Sequence, residues 1–284
     1  MPESSLAGER MCLMYRLIAC DLDETLLNSE RKVSAGDVEA IRKFGELGGK
    51  FVLATGRGYA SVAGTLEEIG LLGKEKEYVI SFNGGAITEN KGNRLIHFDG
   101  ISFALAQQLF ARGLQYDVCI HVYTKEVVHV YRLFDGERDY ISGRMEIEEF
   151  FEDNLDFLKG QDIVKVLYVN TDPDYLRRIE KDLRDITGDV DVSYSSNRYI
   201  EFNHKGVTKG AGLLRLAELL GIPREETIAV GDNFNDLSMI RDAGLGVGVQ
   251  NAVEGIRGDC DYITEATHDE NAIAEIIEKF VLRA

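Results

Sequence analysis

The chain has 284 residues, 44% hydrophobic and 29% charged, with a formal net charge of −17. That length and mixture exclude a small single-core module and a disordered chain, and fit two medium domains or one large α/β domain. The acidic balance argues against nucleic acid and anionic membrane surfaces as partners, because both need clustered Lys and Arg; a small anionic substrate needs cations gathered locally.

Residues 1–14, "MPESSLAGERMCLM", read as a loose N-terminal extension without the continuous apolar segment of a signal peptide. No stretch approaches the ~18 apolar residues of a membrane span. Cys12, Cys20, Cys119 and Cys260 form no CxxC pair, as expected for reduced thiols in a cytoplasmic protein.

From residue 15 to 85, short apolar runs alternate with amphipathic stretches. "RLIAC" is the continuous apolar run of a parallel strand covered on both faces, and it ends abruptly in Asp21, Asp23 and Glu24. "SAGDVEAIRKFGELGG" follows, with Val38, Ile41, Phe44 and Leu47 at helical spacing and Gly48 as a stop. Then come the strand "KFVLAT", a helix through "YASVAGTLEEIG" and the strand "EYVISFN". This repetition predicts a doubly wound, mostly parallel, Rossmann-like α/β sheet.

Residues 86–196 change character. "AITENKGNRLIHF" and "CIHVYTKEVVHVYR" read as hairpin strands, with helices around "SFALAQQLFARGL" and "DPDYLRRIEKDLRDI", which predicts a separate inserted α+β domain. The strand–helix pattern resumes over 197–284 with "TKGAGLLRLAELLG", "TIAVGD", "FNDLSMIRDAG" and "GLGVGV". A last helix, "DENAIAEIIEKFVL", is expected to start on an Asp cap.

In an open parallel sheet, ligands bind beyond the carboxyl ends of the strands. That edge collects "DLDET", "TGR", "SFNGG" and "GDNFND". Asp21 and Asp23, two apart, point to one side of an extended chain, and Asp232 and Asp236 arrive from another strand. Several carboxylates in one crevice need a cation, and all-oxygen ligands suit Mg2+. An EF-hand loop fails, because Leu26 stands at its glycine position and Lys32 at its final glutamate. "LATGRGYAS" fails as a dinucleotide fingerprint, with Ser61 in place of the third glycine and Asn83 where an acid belongs. It reads better as a phosphate seat, where the Thr55 hydroxyl and the following N–H groups meet an anion at a helix N-terminus. Thr208 reads as an N-cap, which puts Lys209 in a first helical turn, against the helix dipole; that misfit points to a nearby anion. His204 and Lys205 read as surface residues.

"DLDETLL", "TGR", "TKG" and "GDNFND", in that order, resemble the four motifs of the haloacid dehalogenase superfamily. The insert between the second and third motifs, with "NGGAI" and "YIEFNHKGVTKG" flanking it, resembles the Cof-type phosphatases of subclass IIB. The resemblance covers about residues 16–280. It implies a catalytic core over 15–85 and 197–284 and an α/β cap over 86–196 that chooses the leaving group. It also implies a Mg2+-dependent phosphatase of small phosphomonoesters, sugar phosphates foremost. Asp21 would form an aspartyl-phosphate, and Asp23 would protonate the leaving alcohol and then deprotonate the water. Thr55 and the Gly56 N–H would hold phosphoryl oxygens, Lys209 would screen charge, and Asn235 would touch phosphate. Mg2+ would be bound by the Asp21 side chain, the Asp23 carbonyl and Asp232, with Asp236 orienting metal-bound water.

Two departures from the pattern, Asn233 and Asn271-Ala272, fall where glycine is common. Arg132, Arg138, Arg144, Lys165 and Arg198 are the cap cations available to a substrate, although scattered cations are usually solvated surface. A phosphomutase on the same scaffold and a non-catalytic phospholigand-binding regulator are the alternatives. The intact Asp21/Asp23 pair speaks against the regulator.

Overall fold

Apolar runs become strands and 3.6-period stretches become helices where each can bury its apolar side on the other. The computed structural model describes residues 14–143 and 145–282; the N-terminal extension up to residue 13, with Cys12, and the cap cation Arg144 lie outside the described residues. The chain opens with β1 (Leu17–Cys20), α1 (Ala35–Glu46), β2 (Lys50–Ala54), α2 (Ala63–Glu68), β3 (Tyr78–Ser81), β4 (Ala86–Glu89) and β5 (Arg94–Phe98). It continues with α3 (Phe103–Gly113), β6 (Cys119–Thr124), β7 (Val128–Tyr131), α4 (Asp135–Ile141) and β8 (Ile147–Phe150). Then follow β9 (Ile163–Val169), α5 (Pro173–Asp182), β10 (Val190–Ser195) and β11 (Tyr199–His204). It returns with α6 (Lys209–Leu220), β12 (Thr227–Gly231), α7 (Leu237–Asp242), β13 (Leu245–Gly248), α8 (Glu254–Arg257), β14 (Tyr262–Ile263) and α9 (Ala272–Ile277).

Two sheets result. The first has eight strands in the order β14-β13-β12-β1-β2-β3-β4-β5, parallel from β14 to β3 and antiparallel at β4 and β5. Its side chains alternate between faces. Ile18, Cys20, Phe51 and Leu53 pack with Phe44 of α1 and Ile273 of α9; Leu17, Ala19, Val52 and Ala54 pack with Leu213 and Leu216 of α6. This is the doubly wound α/β core expected from the sequence. Strands β2 and β3 lie on one side of β1 and β12 and β13 on the other, so the end of β1 is the switch point where such sheets bind ligands.

The second sheet has six strands in the order β10-β11-β9-β6-β7-β8, antiparallel except for the parallel pair β7–β8. Phe110 of α3 and Ile179 of α5 cover one face, against Val122, Val166 and Phe202.

The sheets do not divide the chain at residues 86 and 197, as expected. Strands β4 and β5 extend the eight-stranded sheet, while β11 lies inside the six-stranded one, between β10 and β9. The alternation in "AITENKGNRLIHF" signals antiparallel pairing but not which sheet receives it; here the open edge of β3 does. The last helix also lacks its expected Asp cap. Asp269 instead accepts the Ser29 N–H and hydroxyl at 2.7 and 2.8 Å, and Asp37 of α1 accepts the Ala274 N–H in the first turn of α9 at 2.7 Å. Asn271 precedes that helix at φ +65°, a left-handed conformation that explains why glycine suits the position. No helix among the described residues is long and apolar enough to cross a membrane.

Candidate active site

Asp21 follows β1 directly, and its N–H donates to the Val230 carbonyl of β12 at 3.0 Å, which fixes it beside the next strand end. Lys209 opens α6, whose N-cap Thr208 accepts the Ala211 N–H at 3.1 Å. The Lys209 side chain is wholly buried and donates to Asp21 Oδ1 and, at 2.6 Å, to Asp236 Oδ1. Asp236 Oδ2 accepts the N–H groups of Asp232 and Asn233 at 3.0 and 3.1 Å. Asp232 Oδ1 accepts the Thr25 hydroxyl at 2.8 Å. Carboxylate oxygens of Asp21, Asp232 and Asp236 all lie within 4.8 Å of one another.

Burial dominates the electrostatics. It pushes Asp21 up to about 7 against the pull of Lys209, with Asp236 and Asp232 adding repulsion. Asp232 goes up to about 6, again chiefly by burial, which the Thr25 hydroxyl opposes. Burial alone would discharge Lys209, yet Asp21 and Asp236 hold it above the usual lysine value. Hydrogen bonds from one ammonium to two carboxylates define a charged network.

The second loop carries Thr55, buried, whose hydroxyl accepts the Arg57 N–H at 3.0 Å. The helix expected immediately after it is a 3-10 turn, Tyr59–Val62, so the seat is a loop and not a helix terminus. The third loop turns through Phe82, Asn83 and Gly84 at φ +53°, +56° and +101°. A Cβ on Gly84 would lie 2.1 Å from the Thr208 carbonyl, so only glycine lets this turn press on the cap of α6 and so set Lys209. The same turn carries the Asn83 side chain to Gly56, where Asn83 Oδ1 is buried without a hydrogen-bond partner among the described residues.

Asp23 departs from the cluster. Its carboxylate is exposed and paired with Arg57, whose Nε donates at 3.1 Å. Glu24 sits at φ +59° and contributes its carbonyl to Asn251 at 2.8 Å. Asn235 is exposed and lines a cleft of about 550 Å3 together with Gly56, Asn83 and, from the second sheet, Lys165, Arg198 and Glu201. Of the cations expected to be available to a substrate, Lys165 and Arg198 thus line the cleft. Arg132 donates to the Tyr116 carbonyl and Arg138 to Glu149. Sequence reasoning gave no task to Thr25, Arg57 or Asn83, although all three lie inside the quoted motifs; their partners come from other loops, which spacing does not reveal.

The chain belongs to the haloacid dehalogenase-like hydrolases, whose family model matches residues 18–277. It is 32% identical to the phosphatase YwpJ of Bacillus subtilis over 93% of this chain and 99% of that one. It is 30% identical to the 5-amino-6-(5-phospho-D-ribitylamino)uracil phosphatase YcsE of the same organism, over 98% of this chain and all of that one. A solved haloacid dehalogenase-like hydrolase from Bacteroides thetaiotaomicron superposes with a TM-score of 0.81 at 31% identity, covering 93% of this chain and 99% of its own. The protein is therefore a hydrolase of the phosphatase kind.

Proposed function

We propose that the protein is a Mg2+-dependent phosphatase of small phosphomonoesters, sugar or polyol phosphates foremost, acting through an aspartyl-phosphate on Asp21. The observation that carries it is the convergence of Asp21, Lys209, Asp232 and Asp236 at the switch point, beside Thr55 and Gly56. The donor set suits Mg2+: it is all oxygen, it is buried, and Asp21 Oδ2 and Asp232 Oδ2 accept no hydrogen bond from the described residues. Both Asp236 oxygens are engaged, so Asp21, Asp232 and the Asp23 carbonyl would hold the ion, with Asp236 behind them. When bound, the ion supplies positive charge that offsets the crowded carboxylates and the phosphoryl group.

An Asp21 oxygen attacks phosphorus in line as the ester P–O bond breaks, and Asp23, which lines a second pocket that shares Ser196 and Tyr199 with the cleft, delivers a proton to the leaving alcohol. Water then attacks phosphorus, Asp23 takes its proton, and the bond to Asp21 breaks. Thr55, the Gly56 N–H and Asn235 position the phosphoryl oxygens, and Lys209 balances their charge. For Asp23 to act, Arg57 must release it or move with it. The buried thiols Cys20 and Cys119 support a cytoplasmic setting.

The test is phosphate release from a panel of sugar and polyol phosphates, with Mg2+ and with chelator, for the wild type and Asp21→Asn. Turnover is expected to fall at least about a thousandfold in the variant and on chelation. Equal turnover by Asp21→Asn removes the nucleophile, and turnover in chelator removes the metal. Sugar isomerisation without free phosphate identifies a mutase.

A further inference from the structure

The cleft carries a second buried ion pair, without a task in the chemistry above. Lys165 of β9 and Glu201 of β11 sit on the same face of the six-stranded sheet, diagonal in its register. The Lys165 ammonium donates to Glu201 Oε2, the Ser195 hydroxyl donates to Glu201 Oε1, and the ammonium lies 4.8 Å above the Tyr123 ring. Lys165 and Glu201 are only 5% and 7% exposed, yet both line the cleft opposite Gly56, Asn83 and Asn235. Burial alone would raise the Glu201 carboxyl; Lys165 and Ser195 outweigh it and hold the group below the usual range.

A buried ion pair is weak evidence for stability, since an apolar pair of similar volume usually serves as well. Its place in the cleft suggests recognition instead. The other lining cations are matched too: Arg198 donates to Glu137 at 3.1 Å and lies 4.3 Å above Tyr140, and the exposed Arg177 meets Asp174 at 3.5 Å. Among the described residues that line it, the cap side of the cleft therefore offers a second anion no unmatched cation. It does offer ammonium protons beside carboxylate lone pairs, the pairing that neighbouring hydroxyls satisfy by accepting from one and donating to the other.

We infer that the Lys165–Glu201 pair sets the charge preference of the leaving-group pocket, admitting a neutral polyhydroxylated leaving group and rejecting one that carries a second phosphate or carboxylate. The inference rests on the phosphatase reading and deepens it. Lys165 alone would draw a second anion into this desolvated place; Glu201 cancels that attraction and leaves nothing to offset the anion's lost hydration.

The experiment compares a hexose 6-phosphate with a hexose 1,6-bisphosphate, by kcat/KM for total phosphate release and by Kd for Asp21→Asn protein, both with Mg2+. The wild type is expected to favour the monophosphate. Glu201→Gln, nearly isosteric, is expected to raise the bisphosphate-to-monophosphate ratio at least about tenfold. The double variant Lys165→Met/Glu201→Gln carries no charge there and is expected to return toward the wild-type ratio. A wild type that favours the bisphosphate, a Glu201→Gln ratio that does not move, or a double variant as permissive as Glu201→Gln overturns the inference. If no ester is hydrolysed, the phosphatase reading fails by itself, and the Kd ratios still decide the charge preference.

Discussion

Lys209 stands where a cation opposes the helix dipole, in the first turn of α6, and it is wholly buried there. The dipole disfavours it by roughly 0.3–1 kcal/mol, so the two carboxylates that it meets must govern its position. Removing one partner of such a buried network leaves uncompensated charge and costs about 3–5 kcal/mol. Lys209→Met is therefore expected to lower unfolding free energy by roughly that amount in urea melts, and added Mg2+ should recover part of it. An unchanged midpoint would show that the fold does not depend on the ammonium between these two carboxylates. At this scale much was legible in the sequence: Asp21, Asp232, Asp236 and Lys209 lie in ordered motifs, and the structure brings them together. Asp23 was legible as a motif residue, but its pairing with Arg57 was not. The Asn83–Gly56 contact depends on three consecutive left-handed residues, which neither composition nor periodicity announces.

Single elements were legible where a periodic apolar face had one place to go. Strands β1 and β12, fully buried, and β2, buried beyond Lys50, read plainly as apolar runs, and α6 as a capped amphipathic helix. Strands β4 and β5 were found as strands and β11 was not; the sequence does not reveal which sheet receives any of the three, because strand pairing is decided by tertiary contacts. The six-stranded sheet also holds a titratable group whose pH dependence belongs to this scale. His121 of β6 is wholly buried, and neither ring nitrogen has a hydrogen-bond partner among the described residues. Glu137 lies 3.6 Å from its Nε2, but that carboxylate already meets Arg198 and the Tyr199 hydroxyl. Burial first, and Lys165 second, push His121 down to about 3, against the pull of Glu201. The unfolded chain then gains a proton as pH falls below about 6.5, and the folded chain does not until about 3. The stability contribution is therefore complete above that window and is lost as pH falls through it. His121→Gln takes up no proton, so its melting temperature should drop less than that of the wild type between about pH 7.5 and about pH 5. Equal drops would mean that His121 is already charged in the fold.

Across the whole molecule, each sheet has a core of its own, around Phe44 and Phe51 in one and Phe110 and Tyr168 in the other. A further apolar cluster bridges them, in which Phe82 and Ala86, from the eight-stranded sheet and its loop, meet Tyr123, Val128 and Val164 of the six-stranded one. Phe82 also closes on the phosphate loop, since a Cβ on Gly58 would lie 2.9 Å from its ring. One side chain thus touches the loop that would seat phosphate and the sheet that would choose the leaving group. Any movement of the six-stranded sheet over the site would have to carry or release this ring, which would link substrate fit to the Gly56–Gly58 loop mechanically. Phe82→Ala is expected to cost about 3–5 kcal/mol, and because both sheet cores survive, urea unfolding should split from one transition into two. The same change should lower kcat/KM for a sugar phosphate more than for a small aryl phosphate, whose leaving group makes little use of the cap. A loss below about 1 kcal/mol with unsplit unfolding, or an equal fall for both esters, would show that the cap and the phosphate loop act independently.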